Sequence, residues 1–244
     1  TLNLLAAKAL DYLRDLRRLI RRATRLPATG GVDLGHLDRL RPISLDWGFD
    51  RGLAVDRYYI ESFIASHAGD IQGEVLEVAD NVYANRFGVD RVDRCDVLHD
   101  TLGHPRASVI IDLARPVAEP QQQYDCIICT QTLHLIYDIE TAVANLHALL
   151  KPGGTLLLTV PTITKISRED MQRHGDFWRF TSAALQQLIG GQFAPGSFAV
   201  ERFGNVYAAT AFLHGLAVED LDSRKLDFLD SDFETIVAAR AVRS

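Results

Sequence analysis

Short apolar runs alternate with longer helical repeats along most of the chain. The short runs, rich in β-branched and aromatic residues, cover 74–79, 91–97, 107–113, 124–130 and 155–160. A helical repeat separates the last two, with apolar residues at Ile139, Val143, Leu146, Leu149 and Leu150. Lys151-Pro152-Gly153-Gly154 follows and is typical of a helix end. Strands alternating with helices predict a parallel sheet covered on both faces.

The pattern in the last part of the chain predicts two more strands and one more helix. Two further strands are expected over 198–204 and 235–242, separated by an apolar helix over 207–218. The predicted fold class is therefore α/β, with a Rossmann-like, seven-stranded, mostly parallel sheet and helices on both faces. We expect this domain to occupy residues 42–244, after an N-terminal helical extension over residues 1–41.

The N-terminal extension is basic and amphipathic. Residues 1–31 carry seven basic and two acidic side chains, around an apolar stripe of Leu5, Ala9, Leu13, Leu16 and Ile20. One interpretation is a helix that binds a membrane surface or a partner. The other is a terminal helix that packs on its own domain or on a sister subunit. A homodimer or a partner protein held through this helix is the expected assembly.

Composition and charge exclude several classes of protein. The 244 residues carry a formal net charge of −6, which argues against binding of the whole chain to nucleic acid. No apolar run reaches the roughly 18–20 residues that span a bilayer, so no transmembrane segment is expected. The N-terminal segment also lacks the apolar block and cleavage site of a signal peptide. Three cysteines make a disulfide framework unexpected, and we predict a soluble, cytoplasmic protein.

Several common catalytic motifs are missing from the sequence. No two glycines lie two positions apart, no Gly-Lys pair occurs, and no serine has glycines at both −2 and +2. These facts exclude the G-x-G-x-x-G turn, the Walker phosphate loop and the nucleophile elbow. Cys126 and Cys129 lie within one apolar strand run, which points their sulfurs to opposite faces. We therefore expect buried structural thiols and no metal site.

Acidic residues mark the ends of the first three predicted strands. Glu77 closes the first strand, Asp96 follows nineteen residues later at the second, and Asp112 ends the third. Ligands of open α/β sheets bind outside the carboxyl ends of the strands, where a carboxylate accepts hydrogen bonds from a ribose diol or an exocyclic amine. The alternative is that such acids cap helices or face solvent in loops. Three acids on successive strands favour a ligand site.

Three stretches of sequence resemble a known enzyme family. They are YDCIICTQTLHLIYDIETAVANLHALLKPGGTLLLTVP, in which KPGG is the most specific part, the upstream GEVLEVADN and the downstream HGDFWRFT. Together they are similar to class I S-adenosylmethionine-dependent methyltransferases. The last stretch resembles enzymes associated with bacterial surface polysaccharides and other glycosides. The resemblance covers residues 44–244 and implies methyl transfer from S-adenosyl-L-methionine to a small-molecule acceptor.

The glycine loop departs from the family pattern. Where the family has Glu-x-Gly-x-Gly-x-Gly, this chain has Glu77-Val78-Ala79-Asp80-Asn81-Val82-Tyr83. Glycines there let the backbone approach the cofactor closely, so the substitutions modify or abolish the site. The leading hypothesis is a modified, active site. The alternative is a catalytically inactive methyltransferase-like module that binds or scaffolds a partner.

The resemblance implies a set of cofactor-binding residues. Glu77, Ala79, Asp80 and Asn81 would line the methionyl end, and Asp96 would hold the ribose hydroxyls. Asp112 and Leu113 would meet the adenine. Thr130 and Gln131 would lie beneath the sulfonium.

The acceptor site is expected between two segments that flank the carboxyl edge of the sheet. Its candidate substrate-binding residues are Trp47, Arg51, Tyr58, Tyr59, Trp178 and Arg179. In the same region we expect His174 to act as the general base for a hydroxyl, with Asp176 orienting it. The alternative is that these side chains are structural, with Thr181 as a helix N-cap. The expected reaction is O-methylation of a sugar, a glycoside or another small hydroxylated metabolite.

Overall fold

The computed structural model describes residues 10–20, 27, 30–117, 120 and 122–244, and the chain divides into two compact units, Thr1–Arg41 and Pro42–Ser244. In the first unit, residues 10–20 are helical and Gly35–Leu37 forms a 3-10 turn. Leu13 and Leu16 of the predicted apolar stripe are exposed on that helix. Leu5 and Ala9 lie outside the described residues.

The second unit is built on one seven-stranded sheet. Its strands are β1 (Gly73–Val78), β2 (Val92–His99), β3 (Val109–Ile110), β4 (Tyr124–Thr130), β5 (Leu150–Pro161), β6 (Phe198–Phe203) and β7 (Ile236–Val242). They lie in the order β3-β2-β1-β4-β5-β7-β6. The first five strands are parallel, and β7 pairs antiparallel with both β5 and β6. The predicted mostly parallel, Rossmann-like sheet is confirmed.

Six α-helices of the second unit connect and cover these strands. They are α1 (Val55–Ser66), α2 (Ile139–Leu149), α3 (Arg168–Arg173), α4 (Ser182–Gly190), α5 (Val206–Leu213) and α6 (Ser223–Leu226). A π-helical turn, Ala84–Gly88, follows β1. Side chains that accept a backbone N–H begin five of the helices, and Thr181 is the cap of α4, as its position predicts. None of the described helices is long and apolar enough to cross a membrane.

Each face of the sheet carries its own hydrophobic core. Side chains alternate along a strand, so Ile127 and Cys129 of β4 pack on one face and Cys126 and Ile128 on the other. Helices α2 and α4 cover the first face, while α1, α5 and α6 cover the second. Apolar layers on both faces bury most residues of β4 and β5 and the middle of β1, and the carboxyl edge of the sheet is left for a site.

Two elements are shorter than their sequence patterns predict. The third strand was expected over 107–113, but only Val109–Ile110 pairs with β2, since this strand lies at the edge of the sheet. The helix expected over 207–218 is α5, which ends at Leu213. Gly215 turns the chain there with φ +65°, and a Cβ at this glycine would meet the Ser44 backbone. This close approach fixes the loop before α1 against the end of α5.

Candidate active site

A large cavity opens at the carboxyl edge of the sheet. It has a volume of about 990 Å³ and is lined by the ends of β1, β2 and β4, the chain after β3, and the segment after β5. Of the residues predicted from the sequence, it contains Glu77, Ala79, Asp80, Asp112, Leu113, Thr130, Gln131 and His174. The cavity therefore brings together most of the predicted cofactor residues. Asn81 and Asp96 are the two that do not line it.

Glu77 holds the turn that follows β1. Its carboxylate is 3% exposed and accepts hydrogen bonds from the backbone N–H of Tyr83, at 3.0 Å, and of Ala84, at 2.8 Å. Burial raises the pKa of Glu77 to about 7, although these two hydrogen bonds favour the charged form. The side chain thus shapes the loop and presents an acid group to the cavity.

The modified glycine loop keeps the backbone turn without the glycines. Ala79 adopts φ +72°, a left-handed conformation that favours glycine, and its N–H donates to the Leu98 carbonyl at 2.9 Å. Tyr83 is 7% exposed and packs with Phe87 among the residues beneath α1. Its hydroxyl accepts from the Arg57 guanidinium at 3.2 Å. Tyr83 thus borders the cavity, but its ring packs into the core, so the substituted loop does not fill the cavity.

The structure corrects the position assigned to Asp96. This residue lies in the body of β2, paired in register with Leu76, and not at the end of the strand. Its carboxylate accepts hydrogen bonds from Ser108, Gln122 and Tyr124. Asp96 is therefore engaged in joining β2 to its neighbours, outside the cavity. The acid at the carboxyl end of β2 is Asp100.

Asp100 belongs to a cluster that sequence spacing did not reveal. Its two carboxylate oxygens lie 3.0 Å from His99 Nδ1 and 2.9 Å from His174 Nδ1. His174 follows α3, so this contact joins the segment after β5 to the end of β2. The His104 ring stacks on His99, with 4.8 Å between centroids. The segment after β5 thus covers the cavity, and the contact between His174 and Asp100 joins it to the end of β2.

The last residue of β4 and the residue that follows it form another part of the cavity floor. Gln131 has φ +48°, its N–H donates to the Thr159 carbonyl at 2.9 Å, and its side-chain amide donates to the Thr159 hydroxyl at 3.3 Å. Thr130 ends β4 beside it. These contacts hold Gln131 in the floor, as its place after the strand predicts.

A smaller cavity adjoins the first beside Gln131. It measures about 180 Å³ and shares Phe49, Arg57, Gln131 and Asp170 with the larger one. Its other lining residues are Trp47, Asp56, His134, Thr164, Lys165, Ser167, Asp176 and Phe212. Trp47 and Asp176, which the sequence predicted in the acceptor site, both line this cavity. Its other charged groups carry no motif, and only the fold brings them together.

Most of the predicted substrate-binding side chains are committed to structural contacts. Arg51 makes a bidentate pair with Asp220, and the Tyr58 hydroxyl donates to Asp227 at 2.6 Å. The Tyr59 hydroxyl donates to the Leu226 carbonyl at 2.9 Å, and the Trp178 indole N–H to the Ile136 carbonyl at 3.0 Å. None of these four residues lines either cavity. Trp47 alone of the predicted set lies in the smaller cavity, where its indole N–H donates to Thr164 at 3.0 Å.

Asp176 and Arg179 form a structural ion pair. Both carboxylate oxygens accept from the guanidinium, and Asp176 also accepts the Ser167 N–H at 3.0 Å. Burial raises the pKa of Asp176, but the hydrogen bonds from Arg179 and Ser167 outweigh it, and the pKa lies below its ordinary value. Asp176 therefore holds the segment after β5 in place through Arg179 and Ser167, and the carboxylate that contacts His174 is Asp100.

The sequence profile of a methyltransferase domain family, described as "Methyltransferase domain", matches residues 40–194. That match covers more than half of the chain. The chain belongs to this family. It is an S-adenosylmethionine-dependent methyltransferase, as the resemblance of its sequence predicts.

Solved structures that are similar to this methyltransferase have low sequence identity to it. An S-adenosylmethionine-dependent methyltransferase from Mesorhizobium loti is 14% identical, with a TM-score of 0.50, over 80% of this chain and 100% of that one. The N-methyltransferase NodS from Bradyrhizobium japonicum, in complex with S-adenosyl-L-homocysteine, is 14% identical, with a TM-score of 0.47, over 85% of this chain and 94% of that one. No curated protein sequence matches the chain significantly.

The residues of the larger cavity fit S-adenosylmethionine. The left-handed Ala79 retains the turn that glycine provides in the family, and the Tyr83 ring packs away from the opening. Carboxylates at the ends of β1 and β2 and after β3 supply hydrogen-bond acceptors, and Leu98, Ile111 and Leu113 supply an apolar wall. The volume lies at the upper end of the roughly 300–1,000 Å³ that drug-sized ligands occupy. In the described part of this methyltransferase, no cluster of three or more metal-ligating side chains occurs.

Proposed function

We propose that this methyltransferase O-methylates a small hydroxylated acceptor of the sugar or glycoside type. The observation that carries the proposal is the smaller cavity that adjoins Gln131, because it offers an acceptor its own place next to the cofactor cavity. Its lining combines aromatic side chains with acids, a histidine and a lysine. Such a mixture suits a ring that carries hydroxyls better than a long lipid.

The larger cavity would hold the methyl donor along the ends of four strands. We propose that Glu77, Ala79 and Asp80 line its methionyl end and that Thr130 and Gln131 lie beneath the sulfonium. Asp112 and Leu113 would meet the adenine. The ribose hydroxyls are assigned to Asp100 in place of Asp96, because Asp100 lies at the end of β2 and lines the cavity. Asn81 remains a part of the loop outside the lining.

When bound, S-adenosylmethionine supplies an electrophilic methyl group on a positively charged sulfur. The protein has to align the acceptor oxygen with that group and to exclude water. The segment 162–181 serves both purposes, since it covers the cavity and is tied to the fold at several points. The N–H of Phe177 donates to the His134 carbonyl at 2.8 Å, and His174 contacts Asp100 at 2.9 Å.

The proposal gives His174 a role at the ribose end. Its partner Asp100 follows β2, whereas Gln131 follows β4, and β1 lies between those strands. Two strand spacings amount to about 10 Å, so His174 lies far from the residues assigned to the sulfonium. We therefore propose that His174, through its contact with Asp100, holds the segment after β5 over the bound donor. In this proposal neither His174 nor Asp176 is the general base.

The activity is tested by measuring S-adenosylhomocysteine formation with a panel of methyl glycosides, free sugars, amines and carboxylic acids. We expect turnover with hydroxylated rings and a methyl ether in the product, identified by mass spectrometry and NMR. Turnover confined to amines or carboxylates would overturn the O-methylation proposal. Binding of S-adenosylhomocysteine without turnover of any compound would favour the inactive binding module.

Asp100→Ala should weaken the binding of S-adenosylhomocysteine by about 1–3 kcal/mol, or roughly 5- to 150-fold, because charge-assisted hydrogen bonds to the ribose are lost. Isothermal titration calorimetry measures this change. Asp96→Ala is the matched control: it removes the carboxylate of the same strand and should lower stability while leaving affinity unchanged. If binding were weaker in the Asp96 variant alone, the ribose hydroxyls would be assigned to Asp96 and not to Asp100.

The exposed helix over residues 10–20 is our proposed contact for assembly. Leu13 and Leu16 are exposed on it, beside Arg14 and Arg17. We propose that this side contacts a second copy of the chain or a partner protein. Light scattering of the full chain measures its mass in solution. A dimer that becomes a monomer in Leu13→Glu would support a contact between two copies through this helix.

A further inference from the structure

Three polar side chains of the smaller cavity form no side-chain hydrogen bond or ion pair with the described residues. His134 is 8% exposed, and its Nδ1 is buried with no hydrogen-bond partner in the described chain. The Lys165 ammonium lies 3.1 Å from the centroid of the Trp47 ring, and no carboxylate of the described residues reaches it within ion-pair distance. The Asp170 carboxylate likewise has no hydrogen bond or ion pair to any described residue.

The same three groups lie close enough to influence one another. Burial lowers the pKa of His134 to about 4, while the charges of Asp176 and, less strongly, Asp170 act in the opposite direction. Burial also lowers the pKa of Lys165, and the charges of Asp46, Asp170 and Asp176 oppose this shift in that order. Arg179 is the other charged group that acts on this pair. Asp170 and Asp176 thus both act on the imidazole and the ammonium, and of these two carboxylates Asp176 is already paired with Arg179.

The remaining charged groups of this cavity are satisfied. Asp176 is paired with Arg179, and Asp56 accepts the Arg57 N–H at 2.8 Å with the Arg57 guanidinium 3.9 Å away. His134 is the buried member of the three, whereas Lys165 and Asp170 are half-buried. Because buried polar groups in native proteins are nearly always hydrogen-bonded, the unpaired His134 Nδ1 in the cavity wall indicates a partner supplied by a ligand. A ligand that donates and accepts hydrogen bonds, as a hydroxyl does, complements an imidazole, a carboxylate and an ammonium together.

We propose that the acceptor binds in the smaller cavity with its reacting hydroxyl between Asp170, His134 and Lys165, and that Asp170 is the general base. This inference rests on the proposed O-methyltransferase function. Asp170 lines both cavities, so it lies where the acceptor and the donor meet. The cavity is smaller than the roughly 300 Å³ at which drug-sized ligands begin, which limits the bound group to about one ring.

The chemical step balances with this assignment. The hydroxyl proton passes to the Asp170 carboxylate as the acceptor oxygen forms its bond to the methyl carbon. The carbon–sulfur bond breaks with its electron pair on sulfur, which leaves a neutral thioether and a methyl ether. The protonated Asp170 then releases its proton to solvent. His134 stays neutral through the step and fixes the hydroxyl by a hydrogen bond, while Lys165 holds a neighbouring oxygen.

Asp170→Asn tests the base, and Glu169→Gln is its matched control on the same helix. Glu169 is paired with Arg173 at 2.8 Å and lines neither cavity. With the methyl glycoside that the wild type turns over fastest, Asp170→Asn should lower kcat about 10²- to 10⁴-fold, while Glu169→Gln retains it. The affinity for S-adenosylhomocysteine should not change in either variant. Near-normal kcat in Asp170→Asn would overturn the assignment of the base and leave the proposed function intact.

A second measurement reports on the acceptor site without turnover. The ring signals of His134 are followed by NMR in the complex with S-adenosylhomocysteine as the same glycoside is added, and those of His214 serve as a control. His214 also has a buried, unpaired Nδ1 but lies outside both cavities. Shifts at His134 alone support the site, and shifts confined to other residues overturn it. If the wild type turns over no hydroxylated compound, the proposed function fails and this inference fails with it.

Discussion

Arg179→Ala should lower the free energy of unfolding by about 3 kcal/mol, because it leaves a buried carboxylate without its partner. The Asp176 side chain is 1% exposed and that of Arg179 is 26% exposed. Removing one partner of a buried ion pair costs about 3–5 kcal/mol, and the lower end applies since a quarter of the arginine is exposed. Arg179 also donates to the Lys165 carbonyl at 3.1 Å, which adds to the loss. Urea unfolding measures the change.

A more exposed pair provides the control for this prediction. Arg51 and Asp220 form a bidentate pair of the same geometry, but their side chains are 38% and 28% exposed. Arg51→Ala should therefore cost less than about 1 kcal/mol. Adding Asp176→Asn to Arg179→Ala should recover part of the stability, because the unpaired charge is removed. Equal costs for the two arginine variants would show that the burial of Asp176 is unimportant.

The second large effect is a dependence of stability on pH that arises at Glu77. Burial raises the pKa of this carboxyl from 4.5 to about 7 in the folded protein. The protonated form is therefore favoured by folding, and its contribution is fully present below pH 4.5. It is lost as the pH rises through 7, by an amount on the order of 3 kcal/mol for a shift of this size.

Glu77→Gln isolates that contribution, since other carboxyls titrate in the same pH range. The difference in unfolding free energy between the wild type and Glu77→Gln should move in favour of the variant by up to about 3 kcal/mol between pH 4.5 and pH 8. Guanidinium unfolding at a series of pH values measures it. A difference that does not change with pH would mean that Glu77 is charged throughout and held by the Tyr83 and Ala84 amides.

The fold is predictable from the sequence because its signals are local. The hydrophobic period specifies β4 and α2, and each forms where its pattern indicates. Residues 151–154, expected to follow the helix as a turn, lie within β5 as an irregularity of its pairing with β4. The third strand was overestimated because its apolar residues extend beyond the two that pair at the sheet edge. The helix after β6 was overestimated because Gly215 turns the chain against Ser44, a contact distant in sequence.

The site was only partly predictable, since its chemistry depends on pairings that the sequence does not display. Asp96 and Asp100 are equally acidic, and only the register of β2 shows that Asp100 ends the strand. Arg51 and Tyr58 resemble ligand-binding side chains until Asp220 and Asp227, 169 residues away, are found to hold them. His134 and Asp170 carry no motif, and their shared cavity forms only when the segment after β5 folds over β4.

The alternation of β4 places one thiol in each half of the protein interior. Cys126 belongs to the core under α1 and α5, and Cys129 to the core under α2 and α4. Both are free and fully buried. A bulky alkylating reagent reaches each sulfur only when the helical layer above it opens. The two alkylation rates, resolved by peptide mass spectrometry, therefore report the breathing of the two layers separately, in the natural sequence and without an introduced label.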